Sequence, residues 1–351
     1  MQFWEKVRHS PVKKEWTTLL KRNSFWNKKP FQFAIPLLTE NKLFVGVHKG
    51  SFYAIDAEKG KKLWKFRAAG PIHASARVSG GNVYFADAKG EAYALNQETG
   101  ETVWVTRLGY EVMSAPLIVD DKIFFVTMAK DLFCLDRQSG KIVWQVTHGK
   151  SDFEFTLYGS SDPVLVSGQI LVGYSDGTLT AHSPQNGDLL WSKSLGDPLE
   201  PFRDIDATLT LSADADKAYL MTADGKLFAI NPANGSVYWT APYGGVDHLV
   251  MADTFIYGTS GSKIFALQKE GGETAWEQEL PLSALSAPAV RGDVLTVAAT
   301  KGKVYFLNRL TGDIDYSWHT RGGSYSDPVT DQNHVYILSN AARLYSFRYK
   351  K

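Results

Sequence analysis

Apolar residues along this chain recur in short alternating runs that are separated by polar turns. In residues 43–64, LFVGVHKGSFYAIDAEKGKKLW, Phe52 and Ala54 occupy every second position, which places them on one face of a β-strand. No copy of this stretch contains ten residues with helical spacing. The pattern predicts a four-stranded antiparallel unit. A Lys-Gly, Asp-Gly or Ser-Gly turn joins two strands, a third carries a tryptophan, and a fourth lies upstream.

The same stretch returns along the chain, and each copy ends in an aromatic residue with a glycine four positions before it. The aromatic residues are Trp64, Trp104, Trp144, Trp191, Trp239, Trp276 and Tyr316. Successive aromatics are 37 to 48 residues apart. A period near 40 that contains short strands is typical of propeller blades. We therefore predict an all-β fold, an eight-bladed β-propeller with four-stranded antiparallel blades.

The last blade lacks an outer strand in this scheme, because only a hairpin at about residues 334–347 remains after Tyr316. The segment PVKKEWTTL around Trp16 resembles the outer strand KKLWKF around Trp64. We expect the amino-terminal segment to supply the missing strand, since closing the ring removes an unpaired edge. The chain is then one propeller over residues 1–351, with an arm at 1–30 and repeats at 40–348.

Composition and charge limit the possible functions. The chain has 351 residues, 44% of them hydrophobic, and a formal net charge of +1, which does not suggest a nucleic-acid partner. Cys134 is the single cysteine, so an internal disulfide and a cysteine metal cluster are excluded, and we expect it in the core. Residues 1–30 carry eight Lys and Arg against two Glu. This basic arm either contacts a membrane surface or nucleic acid, or is a solvated strand.

Two connections between blades are enlarged. They are QVTHGKSDFEFTLYGSSDP after Trp144 and SKSLGDPLEPFRDIDAT after Trp191. Such connections leave one face of an up-and-down ring, so two from adjacent blades should form a composite surface of apolar and charged residues suited to binding. The candidate binding residues are Phe155, Leu157, Tyr158, Arg203, Asp204 and Asp206. Alternatively, the apolar side chains pack against their own blade, and the two aspartates are a solvated pair with Ile205 pointing inward.

Catalytic and metal sites are not indicated. Two carboxylates supply too few oxygens for calcium. The eight histidines are scattered without a ligand or catalytic pairing, and no Gly-x-Ser-x-Gly nucleophile motif appears. We expect no catalytic residue, no metal and no cofactor. Two other classes of function stay open at this point: a ligand- or glycan-binding sensor that uses its central funnel, and a scaffold of another envelope complex.

The repeat with its glycine turn and tryptophan resembles the outer strand of pyrroloquinoline-quinone-type propellers. Within that group the chain resembles the BamB family, eight-bladed lipoproteins that assist the assembly of outer-membrane β-barrels. That family has a Leu-x-Leu-Arg-Gly stretch before a strand that starts with a small residue and Pro, and an Asp-Val-Asp-Thr stretch one blade later. Here residues 155–159, FTLYG, precede Ser161-Asp162-Pro163, and residues 204–208, DIDAT, follow one blade on.

In the family these two stretches contact the barrel-forming subunit BamA. Leu157, Asp204 and Asp206 match the family pattern, Phe155 is a conservative replacement, and Tyr158 stands where an arginine is expected. Losing that guanidinium removes a bidentate donor, and Arg203 is a candidate substitute. The resemblance implies a non-enzymatic scaffold with a BamA-like partner and unfolded outer-membrane proteins as further candidate partners.

The resemblance also implies a location. Members of the family are secreted and lipid-anchored, on the periplasmic side of the outer membrane. The amino-terminal stretch has no apolar signal segment and no cysteine. We therefore expect either a trimmed form or a protein that reaches the membrane only through its partner.

Overall fold

The computed structural model describes residues 10–21, 32–149, 160–200, 202–205, 208–244, 249–281 and 283–350. Within these ranges the regular structure consists of β-strands in eight four-stranded antiparallel sheets, which confirms the predicted propeller. We call the sheets blades 1 to 8. Among the described residues there is no helix long and apolar enough to cross a membrane.

The first strand along the chain is β1 (Val12–Leu19). From the innermost strand outward, blades 1 to 4 consist of β2 (Leu37–Leu38), β3 (Lys42–Val47), β4 (Ser51–Asp56) and β5 (Lys62–Arg67); β6 (Arg77–Ser79), β7 (Asn82–Ala86), β8 (Glu91–Asn96) and β9 (Thr102–Arg107); β10 (Leu117–Val119), β11 (Lys122–Val126), β12 (Asp131–Asp136) and β13 (Ile142–Thr147); β14 (Val164–Val166), β15 (Gln169–Gly173), β16 (Thr178–His182) and β17 (Leu189–Ser194).

In the same order, blades 5 to 7 consist of β18 (Thr210–Leu211), β19 (Ala218–Thr222), β20 (Lys226–Ile230) and β21 (Val237–Ala241); β22 (Val250–Ala252), β23 (Phe255–Ser260), β24 (Lys263–Gln268) and β25 (Thr274–Glu279); β26 (Ala289–Arg291), β27 (Val294–Ala298), β28 (Lys303–Asn308) and β29 (Ile314–His319). Blade 8 consists of β30 (Val329–Thr330), β31 (His334–Ser339), β32 (Arg343–Tyr349) and, outermost, β1. The amino-terminal strand therefore closes the ring, as predicted, with Val12 opposite Tyr349 and Leu19 opposite Arg343.

The core lies between the blades. The two middle strands of each blade are buried along most of their length, whereas the outermost strands alternate between exposed and half-buried positions. The described core residues form clusters that each join two neighbouring blades. In one of them Phe124 and the buried Cys134 of blade 3 pack with Ile170 and Tyr174 of blade 4. Because each blade covers its neighbour's face, no blade has a complete core alone.

The repeated tryptophans pack against the glycine in the polar turn of the next blade. A Cβ atom built on these glycines would lie 2.6 to 2.9 Å from the nearest atom of the indole ring. The glycines also have φ angles of +68° to +79°, a region that disfavours side chains. The pairs are Trp16–Gly60, Trp64–Gly100, Trp104–Gly140, Trp144–Gly187, Trp191–Gly235, Trp239–Gly272 and Trp276–Gly312. The repeated glycine thus serves the tryptophan of the preceding blade.

A bulge precedes the aromatic residue in each outermost strand. In β13 the register skips Val143, because Trp144 lies opposite Cys134 and Ile142 lies opposite Leu135. In β1 the register skips Glu15 in the same way, between Lys14 and Trp16. The amino-terminal strand therefore reproduces the local geometry of the outermost strands as well as their sequence. A bulge bends an edge strand and re-aims its side chains.

The junction between blades 7 and 8 differs from the others. No turn joins β32 to β1, and Tyr316 takes the place of the tryptophan there. Two residues later Trp318 packs edge-on against Tyr345 and Phe347, with ring centroids 4.9 and 5.0 Å apart. Aromatic packing thus replaces the contact between tryptophan and glycine at this junction.

The small-residue and proline motifs stitch innermost strands together. The carboxylate of Asp162 accepts a hydrogen bond from the backbone N–H of Ala115 in the preceding blade, at 2.6 Å. Asp327 accepts one from Ala287 at 2.9 Å in the same arrangement. A Ser-Ala-Pro motif therefore meets a Ser-Asp-Pro motif in the next blade at two places in the ring. Each aspartate satisfies a backbone donor that would otherwise be buried without a partner.

Candidate docking surface at the enlarged connections

The described ends of the two enlarged connections meet at one hairpin of blade 4. Ser160, at the end of the first connection, forms an antiparallel bridge with Tyr174. Ile205, near the end of the second, donates its backbone N–H to the carbonyl of the same Tyr174 at 3.0 Å. Both connections therefore run to the turn between β15 and β16. This is the juxtaposition that the interval lengths predict.

Close backbone approach holds the second connection against this hairpin. A Cβ atom on Gly173 would lie 2.2 Å from a side-chain carbon of Ile205, and one on Gly196 would lie 2.7 Å from the Cβ of Arg203. Distances below 3 Å do not occur between real Cβ atoms and their neighbours. These two glycines are therefore required if the connection is to lie directly on the blade.

A buried ionic cluster lies where the first connection begins. The carboxylate of Asp176 is 3.2 Å from the Nζ of Lys130 in blade 3 and 3.1 Å from the Nε2 of His148. The His148 ring stacks on Tyr174, with centroids 4.3 Å apart. Burial alone would raise the pKa of Asp176, but the hydrogen bond from His148 and the charge of Lys130 outweigh it and hold this pKa well below its usual range. The cluster joins blade 3, blade 4 and the connection between them.

The second connection ends in a tight turn that presents an apolar side chain. The backbone N–H of Glu200 bonds the carbonyl of Asp197 at 3.1 Å, and the Asp197 carboxylate accepts the N–H of Leu199 at 3.0 Å. The N–H of Asp197 is held by the buried carboxylate of Asp224 in blade 5, at 2.8 Å. Leu199 is 91% exposed at the tip. A leucine held this way in solvent is a suitable anchor for a partner.

The structure describes two of the six candidate binding residues. Arg203 is half-buried, and its guanidinium donates a hydrogen bond to the carbonyl of Pro198 at 3.1 Å. Asp204 is only 1% exposed, so the solvent-facing position expected from strand alternation is wrong for this residue. Ile205 is buried, as expected. Phe155, Leu157, Tyr158 and Asp206 lie outside the described residues.

The reason for the burial of Asp204 lies in its surroundings. Its backbone carbonyl accepts a hydrogen bond from Ala223 of blade 5 at 3.0 Å, while the next residue is bonded to blade 4. The segment therefore lies between two hairpin turns instead of on an open surface. Side-chain alternation predicts exposure only when one face of a segment meets solvent, and here both sides meet protein.

Sequence reasoning also missed a polar chain on the connections of blades 1 to 3. The Nδ1 of His48 is 2.9 Å from the Nε2 of His73, whose Nδ1 is 3.1 Å from the carboxylate of Glu111. Burial, followed by the neighbouring His73, lowers the pKa of His48. The three residues are far apart in sequence, and no spacing motif connects them. Among the described residues, no group of three or more His, Cys, Asp or Glu is arranged to hold a metal ion.

Comparison with known families gives one consistent match. A family model described as outer membrane protein assembly factor BamB matches residues 13–110, 48–262 and 243–350. The proteins of that name from Legionella pneumophila (strain Paris) and Alkalilimnicola ehrlichii are 30% and 29% identical to this chain over 195 and 200 residues. These alignments cover 54% and 55% of this chain and 50% and 52% of the relatives. The chain spans about half the length of the curated relatives it matches.

Solved structures show the same fold. The crystal structure of BamB from Moraxella catarrhalis superimposes with a TM-score of 0.82 at 21% identity, covering 96% of this chain and 100% of that one. The quinohemoprotein alcohol dehydrogenase from Comamonas testosteroni gives a TM-score of 0.77 at 12% identity, covering 96% and 76% of the two chains. At these identities the likeness concerns the propeller alone.

Proposed function

Because the chain belongs to the family described as outer membrane protein assembly factor BamB, we propose that it is a non-enzymatic scaffold of the machinery that inserts β-barrel proteins into the bacterial outer membrane. The matches to the family model cover residues 13–350, nearly the whole propeller. We infer a periplasmic location at the inner face of that membrane, with attachment through a lipid anchor or through the partner.

The partner in this proposal is a BamA-like barrel-forming subunit. It docks on the surface formed by the two enlarged connections, where Phe155, Leu157 and Tyr158 on one connection and Arg203 and Asp206 on the other make the contact. The observation that carries the proposal is the convergence of both connections on Tyr174. A rigid scaffold under two long loops gives a partner a preorganised surface, which lowers the cost of ordering on binding.

Asp204 has a different role from the one that strand alternation suggests. At 1% exposure its carboxylate does not reach a partner's basic group. It acts as a positioning residue that holds Arg203 and Asp206 at the surface on either side of it. The direct ionic contacts to the partner are then made by Asp206 and Arg203.

Site-specific photocrosslinking in cells tests the docking surface. A crosslinker at position 157 or 203 should capture the BamA-like subunit. The control is position 310, since Leu310 is also exposed, at 52%, but lies in a turn on the opposite face of the disc. Equal capture from all three positions, or capture of a different protein from 157 and 203, would contradict the proposal.

Charge reversal gives a second test of the same surface. Asp206→Arg and Arg203→Glu should each reduce copurification of the BamA-like subunit by about tenfold, because an interfacial ion pair becomes a like-charge contact. Arg321→Glu is the matched control, since Arg321 is exposed on the connection between blades 7 and 8. The proposal fails if the control loses the partner as strongly as the other two variants.

A further inference from the structure

The rim of the disc is divided into two halves that differ in charge. In the outermost strands of blades 2 to 5, TVWVTR, IVWQVT, LLWSKS and VYWTA, charged residues are rare, and β13 and β21 contain none. In blades 6, 7, 8 and 1 the corresponding strands read TAWEQE, IDYSWH, VKKEWTTL and KLWKFR. We call the first group of four strands the apolar arc and the second the charged arc.

Exposed apolar side chains occur in pairs along the apolar arc. Each pair lies within two residues of the repeated tryptophan, and each member is between 40% and 57% exposed. The pairs are Val103 and Val105, Ile142 and Val143, Leu189 and Leu190, and Val237 and Tyr238. At the bulge the charged arc has Ala275, Asp315, Glu15 and Leu63 instead. Clustered exposed apolar residues at one part of a surface mark an interaction site.

These strands are also open edges. Each outermost strand pairs with one neighbour only, so its outward backbone N–H and C=O groups have no strand to bond. Natural proteins protect such edges with charged side chains, above all lysine. The charged arc has this protection, and β13 does not. Its edge after the bulge, Trp144 to Thr147, is a short uncharged template for another strand.

We propose that the apolar arc, centred on β13, binds an extended segment of another polypeptide by strand addition. Only an extended backbone supplies donors and acceptors at the spacing that an open edge requires. Uncharged, alternately apolar side chains on that segment match Ile142 and Val143. The last residue of β13, Thr147, leads directly into the first enlarged connection. A segment paired with β13 therefore ends beside the docking surface proposed above, yet it uses different atoms.

A labelled ten-residue peptide of alternating valine and threonine is the probe, and fluorescence anisotropy is the readout. Ile142→Lys should weaken peptide binding by about fivefold, near the upper end of what one cross-strand contact contributes. Ile314→Lys is the matched control. Ile314 is the same residue type at the same place in blade 7, and it is 41% exposed against 47% for Ile142. It belongs to the charged arc, so binding should not change.

A second measurement on the unchanged protein separates strand addition from simple apolar contact. The same peptide with N-methyl groups on alternate residues keeps its side chains but loses the donors on one edge. It should bind at least tenfold more weakly than the parent peptide. Equal binding of the methylated peptide would overturn the proposal, and so would equal losses in the Ile142 and Ile314 variants.

Self-association is the competing outcome. If light scattering shows a dimer that Ile142→Lys dissociates and Ile314→Lys does not, the occupant of the edge is a second copy of this chain, and the proposal is wrong. None of these measurements involves the BamA-like subunit. A failure here would therefore leave the proposed function standing, and failure of the docking tests would not affect peptide binding.

Discussion

The regular junctions between blades and the junction between blades 7 and 8 solve the same packing problem differently. At a regular junction an indole lies against a glycine in a covalent turn, and most of these indoles also donate a hydrogen bond to the next blade, as Trp104 does to the carbonyl of Arg137 at 3.0 Å. Between blades 7 and 8 no such turn exists, and Trp318 packs into an aromatic cluster. The comparison teaches that the repeated motif is a property of the turn: where the turn is missing, the tryptophan and its glycine are both absent.

The largest expected effect comes from filling the space under an indole. Gly140→Val places a side chain where φ is +69° and the nearest ring atom of Trp104 is 2.6 Å away. We expect a loss of about 3 to 5 kcal/mol in the free energy of unfolding, from backbone strain and overpacking together. Gly81→Val is the control, since its φ is +80° but nothing lies within 4 Å of its Cβ position. Denaturant unfolding should show a clearly smaller loss for the control, and equal losses would contradict the role given to the indole.

Shrinking the indole should cost less. Trp104→Tyr removes part of the ring and the hydrogen bond to Arg137, and we expect it to lower the free energy of unfolding by about 2 kcal/mol. The same measurement applies. Phenylalanine at this position would lose a similar amount, because neither ring donates to the Arg137 carbonyl. A Trp104→Tyr variant as stable as the parent would mean that the tyrosine of blade 7 is an equivalent solution at any junction.

The ionic cluster at the junction between blades 3 and 4 makes stability there depend on pH. Asp176 has a folded-state pKa below its usual value, so it stabilises the fold above about pH 4, and this contribution is lost as pH falls through the folded-state pKa. Asp176→Asn should cost about 2 kcal/mol at pH 7. The difference from the parent should narrow in unfolding curves below pH 4. A constant difference over that range would show that the carboxylate charge is not responsible.

The smallest effect is expected at the exceptional junction. Tyr316→Trp restores the repeated residue where no glycine turn can receive it. Tyr316 is half-buried, and the free energy of unfolding should change by no more than about 0.5 kcal/mol, as for an ordinary surface substitution. Thermal unfolding of this variant beside Trp104→Tyr measures how specific the motif is. A gain above 1 kcal/mol at Tyr316 would contradict the idea that the indole needs the turn.

The sequence predicts the blades well because each blade repeats a local code. Alternation in Phe52 and Ala54, the glycine at a fixed distance from Trp64, and the likeness of the Trp16 segment to an outer strand are all readable within a few residues. The positions of Asp204 and of the chain from His48 to Glu111 are not. They depend on hairpins from neighbouring blades that lie on both sides of a connection, and no local pattern records which turn lies above which connection.

The pairing of β1 with β32 also sets the order of events when the chain is made. Val12 and Tyr349, which lie opposite each other, leave the ribosome roughly 17 to 70 seconds apart at ordinary rates of synthesis. The amino-terminal strand has to remain unpaired during that interval, while the edge it will occupy does not yet exist. Completion of the disc is therefore the last step of folding and requires the most distant contact in the chain, which makes it the step at which a helper or a competitor has most time to act.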